Sequence, residues 1–350
     1  MKVAQVAPLM ESVPPRLYGG TERVVSWITE ELVRQGHEVT LFASSDSVTS
    51  ARLVPCSHAA LRLDPRVIDP LAHFTVMLEK VRERAADFDV LHFHTDYFHF
   101  PVFSRIARRT LTTLHGRLDL PDLPAVFRAF PHMPLVSIAL HQRQPLAFAN
   151  WVGTVYHGLP VDLLKYCIAP SWDYLAFLGR ICPEKRVDRA IAIAKRVGMK
   201  LKIAAKVDKV DREYFAKAIE PMLDDPLIEF IGEIGDDEKG AFLGNAYAVL
   251  FPIDWPEPFG LVMIEAMACG TPVVAYRRGS VPEIVDHGVT GWIVDDDEGA
   301  IAACRRVSML DRLRVRRRFE ERFTAERMVR DYLQLYRGRR SVDSNVAAAG

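Results

Sequence analysis

The sequence predicts an α/β protein with two doubly wound, Rossmann-like domains in tandem. Three observations predict it. Short β-branched or aliphatic runs alternate with amphipathic stretches of helical period along most of the 350 residues. Continuous apolar strands separated by helices belong to buried parallel sheets. The runs fall into two sets of six, and a chain of this length suggests two domains of ordinary size. Between the sets lies segment 163–173, which carries Pro170-Ser171-Trp172 and reads as a linker.

In the first half the predicted strands are 3–7, 38–43, 90–94, 111–114, 135–138 and 152–155. In the second they are 174–178, 201–204, 228–231, 249–252, 272–276 and 292–294. Thr21 can cap the first helix, Val24, Val25, Ile28 and Leu32 form its apolar stripe, and Gly36 ends it. Val187–Val197 follows the same logic, with Gly198 just past its end. A helix over 263–268 stops before Gly270-Thr271-Pro272, which feeds the next strand. The last periodic stretch, 327–336, puts Met328, Tyr332 and Leu335 on one face. The domains are therefore expected at 1–162 and 174–325, with a final helix over 326–340. The small, polar tail 341–350 reads as disordered.

Lys+Arg and Asp+Glu are both 45, so there is no overall basic field to attract nucleic acid. The basic tract 305–318, with Arg314, Arg316, Arg317 and Arg318, reads as a solvated helix face rather than a membrane or phosphate patch. Five scattered cysteines, none in a C-x-x-C pair, point to a reducing, cytoplasmic compartment and away from disulfides or a cysteine zinc site. The apolar start is too short for a signal peptide. No run of about 18 apolar residues predicts a membrane span.

The densest chemistry lies in Trp255-Pro256-Glu257-Pro258-Phe259-Gly260-Leu261-Val262-Met263-Ile264-Glu265-Ala266. Glu257 sits in a Pro-braced loop and Glu265 about two turns into the following helix. Gly260 leaves the first N–H groups of that helix bare, a ready site for an anion or a polar group. Two carboxylates can hold sugar hydroxyls there while the N–H groups near Phe259, Gly260 and Leu261 face a phosphate or sugar oxygen. The arrangement suits a nucleotide-sugar. In open α/β sheets ligands bind beyond the carboxyl ends of strands, so a cleft between two such sheets is the expected site.

Other candidates follow strands. Gly19-Gly20-Thr21-Glu22 lies between the first strand and the first helix, where two glycines let the backbone approach a ligand; it also reads as a plain loop pair. Neither G-x-G-x-x-G nor G-x-x-x-x-G-K-[ST] occurs. In Gly179-Arg180-Ile181-Cys182-Pro183-Glu184-Lys185, Arg180 and Lys185 can converge on a diphosphate, though two such cations alone are usually solvated. His92-Phe93-His94-Thr95-Asp96 has the spacing of a metal-hydrolase motif, but Tyr97 stands where a further His belongs. Asp96 alone is the better candidate, as an acceptor contact. His115, beside Gly116 at a strand end, can donate to a sugar hydroxyl. His157-Gly158 is a similar pair, and Ser137 reads equally as cleft or core. Gly279-Ser280-Val281-Pro282-Glu283 can hold a base or ribose, and also reads as a capping box between Ser280 and Glu283.

Taken together, the residues resemble the retaining glycosyltransferases of family four, which have the GT-B fold. The resemblance runs from Met1 to about Tyr336. It rests on Gly19-Gly20, on Gly179-Arg180 with Glu184-Lys185, and above all on Glu257 and Glu265 in the Pro-Glu-Pro-Phe-Gly setting. Ala266-Met267-Ala268-Cys269-Gly270-Thr271-Pro272 and Gly288-Val289-Thr290-Gly291 extend it. More closely, Tyr18-Gly19-Gly20-Thr21-Glu22-Arg23 and Leu114-His115-Gly116-Arg117 resemble a bacterial group labelled UDP-glucose:tetrahydrobiopterin glucosyltransferases.

The resemblance implies an acceptor-binding N-terminal half, with Gly19, Asp96 and His115 as contacts. It implies a C-terminal half that binds the donor, and a last helix that packs back on the first domain. Glu265 would take the ribose hydroxyls and Glu257 those of the donor sugar. Arg180 and Lys185 would neutralise the diphosphate in place of a metal, His115 would touch the transferred sugar, and Gly20 would line the donor site. No cofactor, metal or nucleic acid is implied; the expected partners are a nucleotide-sugar and a small-molecule or glycan acceptor. Rival readings are a sugar phosphorylase on the same fold, a metal-dependent hydrolase using His92, His94 and Asp96, and a non-catalytic binding module.

Overall fold

The structure, a computed structural model, describes residues 1–16 and 19–347, with side chains as far as residue 338. Tyr18 and the end of the tail lie outside the described residues. The chain divides into two compact units. The first holds Met1–Gly158 and the chain from Ala325 onward; the second holds Leu159–Thr324. Segment 163–173, expected as a linker, thus lies within the second unit.

The first unit is built on β1 (Lys2–Val6), β2 (Glu38–Ser44), β3 (Arg52–Ser57), β4 (Val90–Phe93), β5 (Thr110–Thr113), β6 (Leu135–Ser137) and β7 (Trp151–Thr154). They form one parallel sheet in the order β3-β2-β1-β4-β5-β6-β7. The second unit has β8 (Tyr174–Arg180), β9 (Lys200–Lys206), β10 (Ile228–Gly232), β11 (Ala248–Phe251), β12 (Val273–Tyr276) and β13 (Gly291–Val294), parallel in the order β10-β9-β8-β11-β12-β13. Both orders reverse beside the first strand of the unit, as doubly wound sheets do. One strand, β3, has no counterpart among the predicted twelve. It contains Pro55, which argues against a central strand; β3 lies at the edge, and its register with β2 shifts past Cys56.

Apolar side chains fill the second unit's core, among them Leu175, Phe177, Ile191, Ile203, Leu250 and Val274. Each contributes roughly 1.5–3 kcal/mol of burial. The helix Leu261–Ala268 is buried from Val262 through Ala268, as a helix apolar but for Glu265 must be. Its carboxyl end meets Arg316, which donates to Ala268 O at 2.6 Å and Leu164 O at 2.7 Å. Arg312, also buried, donates to the carbonyls of Ala246 and Gly244. The basic tract is therefore not simply a solvated face. Two of its arginines bind orphaned carbonyls, where a cation also complements the helix dipole.

One of the helix caps differs from expectation. Gly19, not Thr21, occupies the position before the first helix, which starts at Gly20 with no side-chain cap. Gly198 does end Val187–Val197, in the left-handed conformation that glycine adopts without strain. The last helix runs Ala325–Ala347, past residue 340 and into the stretch expected to be disordered. No Pro or Gly interrupts 341–347 to stop it. Met328, Tyr332 and Tyr336 are fully buried along one face, within the first unit. Among the described residues no helix is long and apolar enough to cross a membrane.

Candidate active site

In the second unit, three loops at the carboxyl ends of β8, β11 and β12 are tied together around Glu257. The loop after β8 carries Lys185, whose Nζ donates to Glu257 Oε2; Trp255 Nε1 donates to the same oxygen at 2.9 Å. The ammonium lies 5.4 Å from the Phe251 ring centroid and 5.2 Å from that of Trp255, close enough for cation–π attraction. Asp254 N–H donates to Glu184 O at 2.9 Å, and Arg186 Nη1 to Asp254 Oδ2 at 3.1 Å. The two loops are thus strapped by main chain and side chain.

The third loop explains a glycine. Gly279 has φ +53°, and a Cβ there would stand 2.3 Å from Glu257 O and 2.4 Å from Glu257 N. Main chain meets main chain, with Ser280 N–H donating to Glu257 O at 3.0 Å. Ser280 Oγ donates to Phe259 O at 2.8 Å and makes no cap to the short helix it precedes. The expected capping box does not form; the serine clamps the Glu257 loop instead.

Gly260, at φ +79°, precedes the helix Leu261–Ala268 with no side-chain cap, so first-turn N–H groups stay available. The Phe259 ring is buried in the core, leaving only its main chain for a ligand. Glu265 is almost fully buried. Its charge is met by Lys239 Nζ at 3.0 Å from Oε1, and Lys239 also reaches Asp236 at 3.2 Å. The motif around Lys239 gave no sequence signal of its own. Arg180, at the end of β8, turns to Asp208 (3.6 Å) and Asp211 (3.5 Å), whereas Lys185 turns to Glu257. The two cations predicted to converge are held by different carboxylates.

The first unit presents a neutral cluster. Gln5 and His92 are register partners on β1 and β4, so with His94, Thr113 and His115 they share one face near the strand ends. His94 Nε2 donates to Gln5 Oε1 at 2.8 Å, and His94 Nδ1 lies 2.8 Å from His115 Nε2. Gln5 Nε2 donates to Tyr336 OH at 3.2 Å. His92 Nδ1 lies 2.7 Å from Tyr336 OH and His92 Nε2 2.8 Å from Thr113 Oγ1, which is 3.0 Å from Tyr332 OH. Burial holds the His94 imidazole well below its ordinary range, and pushes that of His115 down to about 3. His157 stacks on His115, with ring centroids 5.2 Å apart, and burial lowers it likewise. His115 Nδ1 is buried without a hydrogen-bond partner.

Both ring nitrogens of His92 and of His94 thus have protein partners, and among the described residues no group of three or more His, Cys, Asp or Glu is arranged to hold a metal ion. Asp96, just past β4, is exposed and sits in the left-handed region at φ +49°. Ser137 is fully buried, bonded to Thr154 Oγ1 and accepting from Arg143 Nε, each at 2.8 Å, which makes it a core residue. Gly19 is buried and Gly20 exposed at the uncapped start of the first helix.

Comparison with known proteins bears on this geometry. Residues 18–202 match the family model "Glycosyltransferase Family 4", and residues 169–322 match "Glycosyl transferases group 1". The chain is 34% identical to N-acetyl-alpha-D-glucosaminyl L-malate synthase of Bacillus anthracis, covering 91% of this chain and 93% of that one. It is 26% identical to the phosphatidyl-myo-inositol mannosyltransferase of Mycolicibacterium smegmatis, covering 90% and 86%. Its fold is similar to that of HepE from Anabaena, solved in complex with UDP-glucose, with a TM-score of 0.71 and 18% identity over 95% of this chain and 99% of that one. Two parallel-sheet, Rossmann-like units of this kind are the GT-B architecture.

Proposed function

Because the chain belongs to glycosyltransferase family 4, we propose that it is a retaining hexosyltransferase that moves glucose from UDP-glucose to an acceptor hydroxyl, without a metal ion. The observation that carries this reading is the Lys185–Glu257 ion pair, locked beside the uncapped start of the helix Leu261–Ala268. An arriving diphosphate competes with Glu257 for the Lys185 ammonium. Glu257, relieved of its partner, then accepts hydrogen bonds from the hexose hydroxyls. Glu265 accepts from the ribose diol while Lys239 keeps its charge compensated.

Arg180 adds a second cation when it exchanges Asp208 and Asp211 for phosphate oxygens. Main-chain N–H groups of Phe259, Gly260 and Leu261 complete the cradle, and Gly20 of the first unit is the further donor contact of the proposal. Preorganised donors of this kind act where charge develops, here on the departing diphosphate. The acceptor hydroxyl attacks from the face that the diphosphate leaves, and a leaving phosphate oxygen takes its proton, so no protein base is needed.

Gly19, Asp96 and His115 are the acceptor-side residues of the proposal, and His115 also touches the transferred sugar. The choice of UDP-glucose leans on the HepE complex and on the resemblance to the UDP-glucose:tetrahydrobiopterin group. A cytoplasmic location is supported by five cysteines that are all free thiols. The test is a thermal-shift screen against UDP-, GDP- and ADP-sugars. A ligand at 100 times its dissociation constant adds about 2.7 kcal/mol of stability. A flat response to all three classes overturns the donor assignment, and an inverted anomeric product overturns same-face attack.

A further inference from the structure

The neutral cluster of the first unit is a single file of hydrogen bonds: His115, His94, Gln5, Tyr336, His92, Thr113 and Tyr332. Each neutral imidazole and each phenol in it has one hydrogen to give. Once one member's donor is fixed, its neighbours follow. Gln5 is the member whose two ends differ: its carbonyl oxygen faces His94 and its amide nitrogen faces Tyr336.

The consequence runs in both directions from Gln5. The oxygen can only accept, so His94 carries its hydrogen on Nε2. A neutral His94 therefore offers a lone pair at Nδ1, and His115 must donate to it from Nε2. That leaves His115 Nδ1 as a bare lone pair, the buried atom without a partner. On the other side Gln5 donates to Tyr336, Tyr336 donates to His92 Nδ1, and His92 donates from Nε2 to Thr113. Turning the Gln5 amide over would reverse every bond and leave a buried His115 N–H with no acceptor. An orphaned N–H is the rarer and costlier of the two outcomes.

We propose that Gln5, His94 and Tyr336 are positioning residues that fix His115 as the Nε2–H tautomer, so that its Nδ1 accepts a hydrogen bond from a hydroxyl of the bound sugar. This rests on the donor reading above, and reverses the donor role expected of His115 from the sequence. The group that His115 selects must bring a hydrogen. A hydroxyl satisfies it; a carbonyl, carboxylate or phosphate oxygen does not.

The experiment uses the full chain labelled with 15N-histidine. In the free protein near neutral pH, His115 is expected to show a protonated Nε2 and a bare Nδ1. Gln5→Glu presents oxygens to both neighbours, so His115 keeps its tautomer while His92 changes to Nδ1–H. Gln5→Leu removes the constraint, and His115 becomes a mixture of tautomers. Tyr336→Phe, which keeps the ring, serves if the Gln5 variants do not fold; it frees Gln5 to turn, and His115 again becomes mixed. A proton on His115 Nδ1 in the wild type, or a tautomer that none of these changes moves, overturns the proposal.

The second arm uses UDP-glucose and analogues with each glucose hydroxyl replaced in turn by hydrogen or by fluorine. At one position both replacements should weaken binding alike by calorimetry, by about tenfold in Kd, since fluorine cannot donate either. UDP-glucose itself should shift the Nδ1 resonance. Binding seen by calorimetry without that shift sinks this inference alone. Absence of binding by any nucleotide-sugar sinks the donor reading and takes this inference with it, whatever the tautomer.

Discussion

Lys185 and His115 both stand in loops that leave the carboxyl edge of a parallel sheet, yet their surroundings are opposite. Lys185 is a cation in an ion pair with Glu257, over two aromatic rings, and Glu265 nearby in sequence has its own lysine. His115 sits among imidazoles, phenols and an amide, and burial keeps it and its neighbours neutral. The difference matches the ligands each would serve. A diphosphate carries charge and must be met by charge that is already in place and already compensated. Sugar and acceptor hydroxyls are neutral, and a charge buried beside them would cost more than their hydrogen bonds return.

The largest expected effect breaks the charged side of that comparison at its frame. Gly279→Ala puts a Cβ where the main chain of Glu257 lies 2.3 Å away, at a φ that a side chain disfavours. The Glu257 loop must move, and with it the Phe259 carbonyl held by Ser280. Turnover is expected to fall on the order of 1000-fold or more, since misplacement by an ångström is already costly. The first unit's histidine tautomers should not change. Near-normal kcat with this variant would show that the loop clamp is dispensable.

Lys185→Ala comes next. If its ammonium acts like one oxyanion-hole donor, the barrier rises roughly 2–4 kcal/mol, or about 30- to 1000-fold in kcat. The variant also strands a buried carboxylate, so Tm is measured alongside. Lys185→Ala with Glu257→Gln separates the two effects. The double variant should recover stability and remain slow. Turnover within about twofold of wild type for Lys185→Ala removes the residue from the chemistry.

The charged site was the more legible one in the sequence. Carboxylates framed by Pro, Gly and an otherwise apolar helix stand out, because nothing but a partner or a ligand justifies them there. Their lysines were legible unevenly: Lys185 followed a strand, whereas Lys239 sits in the run Asp236-Asp237-Glu238-Lys239 that resembles any solvated helix start. Gly279 read as part of a loop that could hold a base or ribose, but its clash partner is distant in sequence and appears only once both loops are placed. Arg312 and Arg316 were hidden because an arginine-rich helix does not announce which guanidinium meets a buried carbonyl. Gln5 left a faint signal, a lone amide inside Val3-Ala4-Gln5-Val6, matched by His92 and Thr113 on neighbouring strands. Reading it required the strand order, and with it Tyr336 from the far end of the chain.

The neutral side can be sharpened with acid. Burial pushes His115 down to about 3 in the folded chain against an ordinary 6.5, and lowers His94 and the stacked His157 in the same direction. Below 6.5 the unfolded chain takes up protons that the folded chain refuses. The stabilisation is therefore complete above about pH 6.5 and is lost progressively as pH falls toward 3, by up to ~1.4 kcal/mol per pH unit for each proton. Urea denaturation at pH 7.5 and 5.5 should show a marked fall in stability at the lower pH. Equal stabilities would mean that the histidines are charged in the folded state, which the hydrogen-bond file cannot accommodate.

The smallest effect tests whether Glu265 handles binding rather than chemistry. Glu265→Gln keeps the side chain's shape and one acceptor oxygen, so the ribose diol still finds a partner. What is lost is the charge, and with it the compensation of Lys239, which retains Asp236 at 3.2 Å. A residue that grips ribose equally in the ground and transition states should raise KM for the nucleotide-sugar by about tenfold and leave kcat nearly unchanged. Lys185, acting on charge that develops as the bond breaks, should show the reverse split. If Glu265→Gln instead lowers kcat at constant KM, the division of labour between the two carboxylates is wrong, and Glu265 belongs with the groups that act on the departing diphosphate.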